Sequence, residues 1–256
     1  MRPRAFVATV ALVACALAAC SEKAERRSGA VGTSAGLVRV RTSGAELEKA
    51  WDVLDSLRDE LEALDEKQRL TPAETRRKVE LLEQVEAAES RFDSAYGANQ
   101  SALTDLLNEA LHARPAGDTT QEALRLYADA AIRNARRFVD HSGNYRRAIE
   151  LLETARSYYE AVAAVVPDDL TAALERASDY RFLTRARFDQ LNRGMSAHDV
   201  KALLGVPFEA NVRHSEVGGK RVASWLYGRE DGAVAALYFD DRGSLYAWRW
   251  DARRAD

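Results

Sequence analysis

The chain has 256 residues, 46% of them apolar, which is enough for one large domain or two ordinary ones and excludes a wholly disordered chain. Its 37 Lys and Arg against 40 Asp and Glu give a charge of −3. It therefore lacks the positive excess with which a generic nucleic-acid binder neutralises phosphates. Two cysteines and four histidines leave little room for a disulfide framework or a zinc cluster.

In chain order, Arg2 and Arg4 open a short positive region, and an apolar run follows from Ala5 to Ala19. At fifteen residues the run is short of the ~20 that span a bilayer as a helix. Positive start, short apolar run and small closing residues describe a secretory signal peptide over residues 1–19. The run closes on Leu17-Ala18-Ala19-Cys20, which resembles a bacterial lipobox. The resemblance implies cleavage before Cys20, which becomes the diacylated, N-acylated first residue of the mature protein. It also implies loss of Cys15 and a lipid anchor with no transmembrane helix. Ser21 after the cysteine implies sorting to the outer membrane, facing the periplasm.

Residues 20–44 are polar and small, with Gly29, Gly32, Gly36 and Gly44 and no aromatic residue, and are expected to form a flexible tether. Leu37-Val38-Arg39-Val40 is its one candidate for a strand or a contact. From 45 to 184 the pattern turns helical. Leu47, Ala50, Leu54, Leu57, Leu61 and Leu64 recur at alternating spacings of three and four. Thr71-Pro72-Ala73-Glu74 forms a capping box with proline at the first helical position. Leu81, Val85, Ala88, Phe92 and Ala95 continue the seam until Gly97, so an antiparallel helical hairpin is expected, with an intermolecular coiled coil as the alternative. A shorter helix over Leu103–Leu111 follows, then one capped by Asp118 and running to about His141. The next runs from Tyr145 to Pro167, and another, capped by Asp168, continues through Leu191. Gly143-Asn144-Tyr145-Arg146-Arg147-Ala148, with Ala155 and Pro167, resembles one tetratricopeptide repeat, without a second copy.

Residues 185–256 change character, with Gly, aromatic and β-branched residues replacing helix formers. Gly194 ends one helix, and Ser196 with Asp199 caps a second that stops at Gly205. Trp225 and Tyr227 sit on one strand, Ala233–Phe239 on a second and Leu245–Trp250 on a third. Gly218-Gly219 reads as a hairpin turn, and Asp241-Arg242-Gly243 as a three-residue hairpin with Gly243 left-handed. That register pairs Phe239 with Leu245 and Tyr238 with Tyr246. Leu237, Phe239, Leu245 and Ala247 then face the helices, and Tyr238, Tyr246, Trp248 and Trp250 share the opposite face. An aromatic free face is either covered by the helical array or a docking face for another protein.

Gly194-Met195-Ser196, Val200, Leu203-Leu204-Gly205, Pro207, Trp225, Tyr227, Phe239, Gly243 and Leu245 resemble the SmpA/OmlA (BamE-like) family of outer-membrane lipoproteins. The resemblance implies two helices on a three-stranded antiparallel sheet and a role in outer-membrane β-barrel assembly. Family members are generally small, whereas about 140 residues of helical pattern precede the domain here. The expected class is therefore α+β, an N-terminal antiparallel helical array followed by a small two-helix, three-stranded domain.

The sequence carries no catalytic constellation. His214-Ser215-Glu216 lacks the Cys-x-x-Cys partner of a nucleoside deaminase, and no Lys-Ser/Thr ending or Gly-x-Ser-x-Gly elbow occurs. The expected function is non-enzymatic: a cell-envelope protein anchored to the membrane at Cys20 that binds other envelope proteins. No cofactor, metal, nucleic acid or small-molecule substrate is expected. The alternatives are a periplasmic scaffold or adaptor unrelated to barrel assembly, and an inhibitor of a secreted enzyme.

Overall fold

The structure is a computed structural model that describes residues 25–65, 67, 70–113 and 117–252. Its first helix, α1 (Glu25–Asp65), overturns the flexible tether, because residues 25–44 are helical and their second half is packed. Val40 is buried and Leu37 lies against the same core, while Arg39 pairs with Glu109 at 2.9 Å. Glycines weaken a helix by ~1 kcal/mol each, which is why composition alone reads as coil. Gly36 instead admits a neighbour closely, while Gly44 leaves ordinary contact distance. A Cβ on Gly36 would stand 2.9 Å from Leu106, and one on Gly44 3.6 Å from Asn99, whose amide donates to Ser43.

Helix α2 (Pro72–Ala113) returns antiparallel and forms the expected hairpin, but it runs straight through Gly97 and absorbs the shorter helix. Phe92, Leu103, Leu106 and Leu107 are buried on either side of that glycine, so tertiary burial outweighs its propensity. The turn is capped as expected: the Thr71 backbone N–H donates to Glu74 at 2.8 Å, and Glu74 N–H donates back to Thr71 Oγ1 at 3.3 Å. Helix α3 (Asp118–Ser142) is capped by Gly117 rather than by Asp118, which occupies the first turn and there complements the helix dipole. Helix α4 (Tyr145–Ala161) starts at Asn144, whose side chain accepts from Arg147 N–H at 3.1 Å. It ends six residues before Pro167 because Ala163 adopts φ 53° and the Ala164 N–H closes on Tyr159 O. Helix α5 (Asp168–Arg181), capped by Pro167 rather than Asp168, stops short of Leu191. Extended Phe182 breaks it, and Leu183 donates its N–H to Gly228 of the sheet. The break and the long α4–α5 connection leave α4 and α5 an imperfect match to a tetratricopeptide pair.

The C-terminal unit has two short helices, α6 (Arg185–Phe188) and α7 (Ala197–Leu204), and an antiparallel meander of four strands rather than three. These are β1 (Val212–Val217), β2 (Lys220–Gly228), β3 (Val234–Phe239) and β4 (Leu245–Ala252), in the order β1-β2-β3-β4. The additional strand β1 is an edge, exposed at nearly every position, so it shows no alternation of apolar and polar residues. Its hairpin is the expected Gly218-Gly219 turn, both glycines at positive φ. The molecule is thus α+β, a long helical hairpin and three further helices joined to a small sheet domain.

The capping box on α7 is complete: Ser196 Oγ accepts from Asp199 N–H at 3.1 Å and Asp199 accepts from Ser196 N–H at 3.1 Å. The Ser196 hydroxyl, then its backbone N–H, hold the Asp199 carboxyl below its ordinary value of 3.8. A lowered carboxylate stabilises the fold above the unfolded value, and that contribution is lost as pH falls through the folded one. Ser196→Ala is expected to cost about 1 kcal/mol at neutral pH. Its deficit in melting temperature against the unmodified chain should shrink as the pH drops below 3.8. A deficit constant down to strong acid would contradict the bond from the Ser196 hydroxyl to the Asp199 carboxylate.

Candidate functional site

Sheet register decides which side chains can form a site. Trp225 opposes Leu237, Tyr227 opposes Ala235 and Ala223 opposes Phe239, so these residues share the face under α6 and α7. Trp225 packs against Phe239 with ring centroids 4.3 Å apart and planes tilted by 43°, and the Tyr227 hydroxyl donates to Gly205 O at 2.9 Å. Phe239 pairs with Leu245 as expected, but Tyr238 pairs with Ala247, not Tyr246, and Leu237 with Trp248. A bulge at Tyr246 shifts the register of β4. Its cause is remote in sequence. The Leu245 N–H donates to Met195 O and its C=O accepts from Gly194 N–H, both at 2.8 Å, so the loop before α7 pairs with the start of β4.

The four aromatic residues expected on one free face are therefore divided. Tyr238 and Tyr246 remain on the side away from the helices, their rings 6.3 Å apart. Trp248 and Trp250 lie against the domain core, and Trp250 meets Phe188 edge-on at 5.0 Å. Arg185 and Arg229 lie over the Trp250 ring at 5.3 and 4.2 Å. The face turned away from the helices consists instead of half-buried Val222, Ser224 and Leu226 on β2, Val234 and Tyr238 on β3 and Ala247 on β4, around a buried Ala236. Exposed Arg213 on β1 and Arg249 on β4 flank it. Tyr246 is 39% exposed beside it. Sequence reasoning missed Val222, Leu226 and Val234, and the signal that could have found them was their alternation with Ala223, Trp225 and Ala235. The helical array meets this domain elsewhere, at Gly205–Pro207, where the Tyr145 hydroxyl accepts from Val206 N–H at 3.0 Å.

The divided face makes a direct prediction. Trp248→Ala should lower stability by about 1–3 kcal/mol through lost core contact, whereas Tyr246→Ala should stay within about 0.5 kcal/mol. Thermal melts of both variants check this, and equal midpoints would refute the bulged register.

The array holds one cluster of chemical interest. His141 stacks on Trp51 with centroids 5.7 Å apart and lies 3.3 Å from Asp55. Burial raises the Asp55 carboxyl above its usual range, against the opposing charges of His141, Arg137 and Arg58. Ser142 completes the residue types of a Ser-His-Asp set, but its hydroxyl donates to Phe138 O at 2.8 Å, within its own helix. The arrangement offers no activated nucleophile. Trp51, Phe92, Phe138 and Arg147 line a cavity of about 220 Å³ beside it. A larger cleft, about 650 Å³, lies between α3–α5 and α7, floored by Ala135, Ala148 and Ala177.

Cys20 lies outside the described residues. Among the described residues, no helix is long and apolar enough to cross a membrane, and no group of three His, Cys, Asp or Glu is placed to hold a metal ion. No protein-family description, curated protein or solved structure matches the chain.

Proposed function

We propose that the chain is a non-enzymatic lipoprotein of the bacterial cell envelope that binds another envelope protein through the uncovered face of its C-terminal sheet. The observation that carries this reading is that face: Val222, Leu226, Val234 and Tyr238 side by side, flanked by Arg213 and Arg249. Among the described residues the helices of this domain lie on the opposite side, and an apolar, tyrosine-bearing patch with a charged rim is the anatomy of a protein interface. The Leu17-Ala18-Ala19-Cys20 lipobox supports anchoring at the outer membrane, facing the periplasm. Attachment there raises the local concentration of the face near its partners. The likeness to SmpA/OmlA proteins supports barrel assembly as the setting. The cleft beside α7 favours a second reading, a scaffold that binds through the helical array instead.

The anchor is tested by labelling with a palmitate analogue and by the mass of the mature N-terminal peptide. The expected result is acylated Cys20, with labelling and membrane retention both lost in Cys20→Ser. Retention and labelling of that variant would contradict the assignment.

A further inference from the structure

Val165 is 91% exposed, a large apolar side chain standing almost wholly in solvent. It occupies the connection between α4 and α5, Val162-Ala163-Ala164-Val165-Val166-Pro167. Val162, Ala164 and Val166 pack down onto the array core, and the left-handed Ala163 turns the chain so that Val165 projects. A single exposed valine requires no partner by itself, but the path of the chain places this one at a particular end of the array.

The contacts between helices fix the level of this loop. Gly36 and Arg39 of α1 lie against Leu106 and Glu109 of α2. Thr120 of α3 donates to Ala110 O at 3.1 Å. Tyr127 of α3 meets Tyr158 of α4 at 5.0 Å, and Arg125 holds Asp169 of α5 at 2.6 Å. The end of α2, the start of α3, the end of α4 and the start of α5 therefore form one end of the array. The hairpin turn at Thr71 lies at the opposite end, about 45 Å from Gly36 at 1.5 Å per residue. At the loop end α1 continues outward to Glu25, and Cys20 stands five residues before it. The eleven helical steps from Gly36 to Glu25 rise ~16 Å. Gly29 and Gly32 make this stretch the easiest part of α1 to bend toward a surface.

We infer that this end of the array rests on the lipid bilayer, with Val165 entering the interface beside the anchored N-terminus. The inference rests on acylation of Cys20, and the occupant it names is the lipid surface rather than a protein. Insertion is shallow, because Glu160, paired with Arg156 at 3.3 Å, and Asp169, paired with Arg125, flank the loop. The sheet domain, joined where α3 ends and α4 begins, is then held roughly 35 Å from the membrane, along the 25 residues of α3.

The test uses the full lipidated chain reconstituted in vesicles of phosphatidylethanolamine and phosphatidylglycerol. With Cys20 acylated, Val165→Cys carries the single free thiol, labelled with an environment-sensitive dye. Arg76→Cys, on the exposed hairpin end, is the matched control. The expected result is blue-shifted emission at position 165 that brominated acyl chains quench, and water-like emission at 76. A vesicle-bound protein with water-like emission at both positions overturns the inference and leaves the anchor standing. Quenching at both positions overturns the end-on orientation. A protein that does not bind vesicles removes the anchor and the inference with it.

Discussion

Trp51→Ala is expected to destabilise the chain by about 3–5 kcal/mol, the range for removing a large buried ring. Trp51 is 2% exposed and sits where α1, α2 and α3 meet. Its ring lies 4.2 Å from Phe92 of α2, 5.8 Å from Phe138 of α3 and 5.7 Å from His141, and the Arg137 guanidinium covers it at 5.4 Å. Truncation leaves a void bounded by residues of separate helices, which cannot all collapse into it. It also removes the ring that shields the desolvated Asp55–His141 pair. For a chain of this size the melting temperature should fall by roughly 10 °C. Trp51→Phe should recover most of the loss, since it keeps an aromatic surface. An alanine variant that melts within about 2 °C of the unmodified chain would show that the hairpin and α3 are not joined at this point.

Gly205→Ala is expected to cost about 2–4 kcal/mol, by two effects at one atom. Gly205 has φ 87°, a region that L side chains rarely adopt, and its new Cβ would collide with the Tyr145 hydroxyl and approach the Tyr180 ring to 2.8 Å. The same displacement strains the bonds Val206 N–H to Tyr145 Oη and Tyr227 Oη–H to Gly205 O. The first of these joins the array to the sheet domain and the second holds its end of α7 on the sheet, so the loss should appear as uncoupling. Calorimetry should resolve two transitions in place of one, and the extended segment at Phe182 should become sensitive to protease. A single cooperative transition at an unchanged temperature would contradict this view of the joint.

Much of this architecture was legible because local chemistry and tertiary structure agree. Thr71 with Glu74 and Ser196 with Asp199 cap where they stand in the sequence, and glycines at 194, 205 and 243 take positive φ at turns and helix ends. The misreadings share one cause, that long-range contact outweighs local preference. Residues 35–44 are poor in helix formers, yet α2 offers Leu106, Glu109 and Asn99 against their glycines and Arg39. Gly97 does not break α2 because buried residues on both sides hold the helix. The division of Tyr238 and Tyr246 from Trp248 and Trp250 follows from a single residue of register. That slip originates in Gly194 and Met195, far from β4 in sequence and invisible to a count of alternation. Of the four aromatic residues expected to share one free face, Trp248 and Trp250 thus lie on the other.

Binding through the uncovered sheet face is tested most directly by photocrosslinking in intact cells. A benzophenone amino acid replaces Tyr246, with Glu175 on the exposed side of α5 as the control position. The predicted result is a discrete higher-mass adduct from position 246 that disappears when Leu226→Glu is added, with none from 175. An adduct from 175 and none from 246 would contradict the proposal and place binding on the helical array.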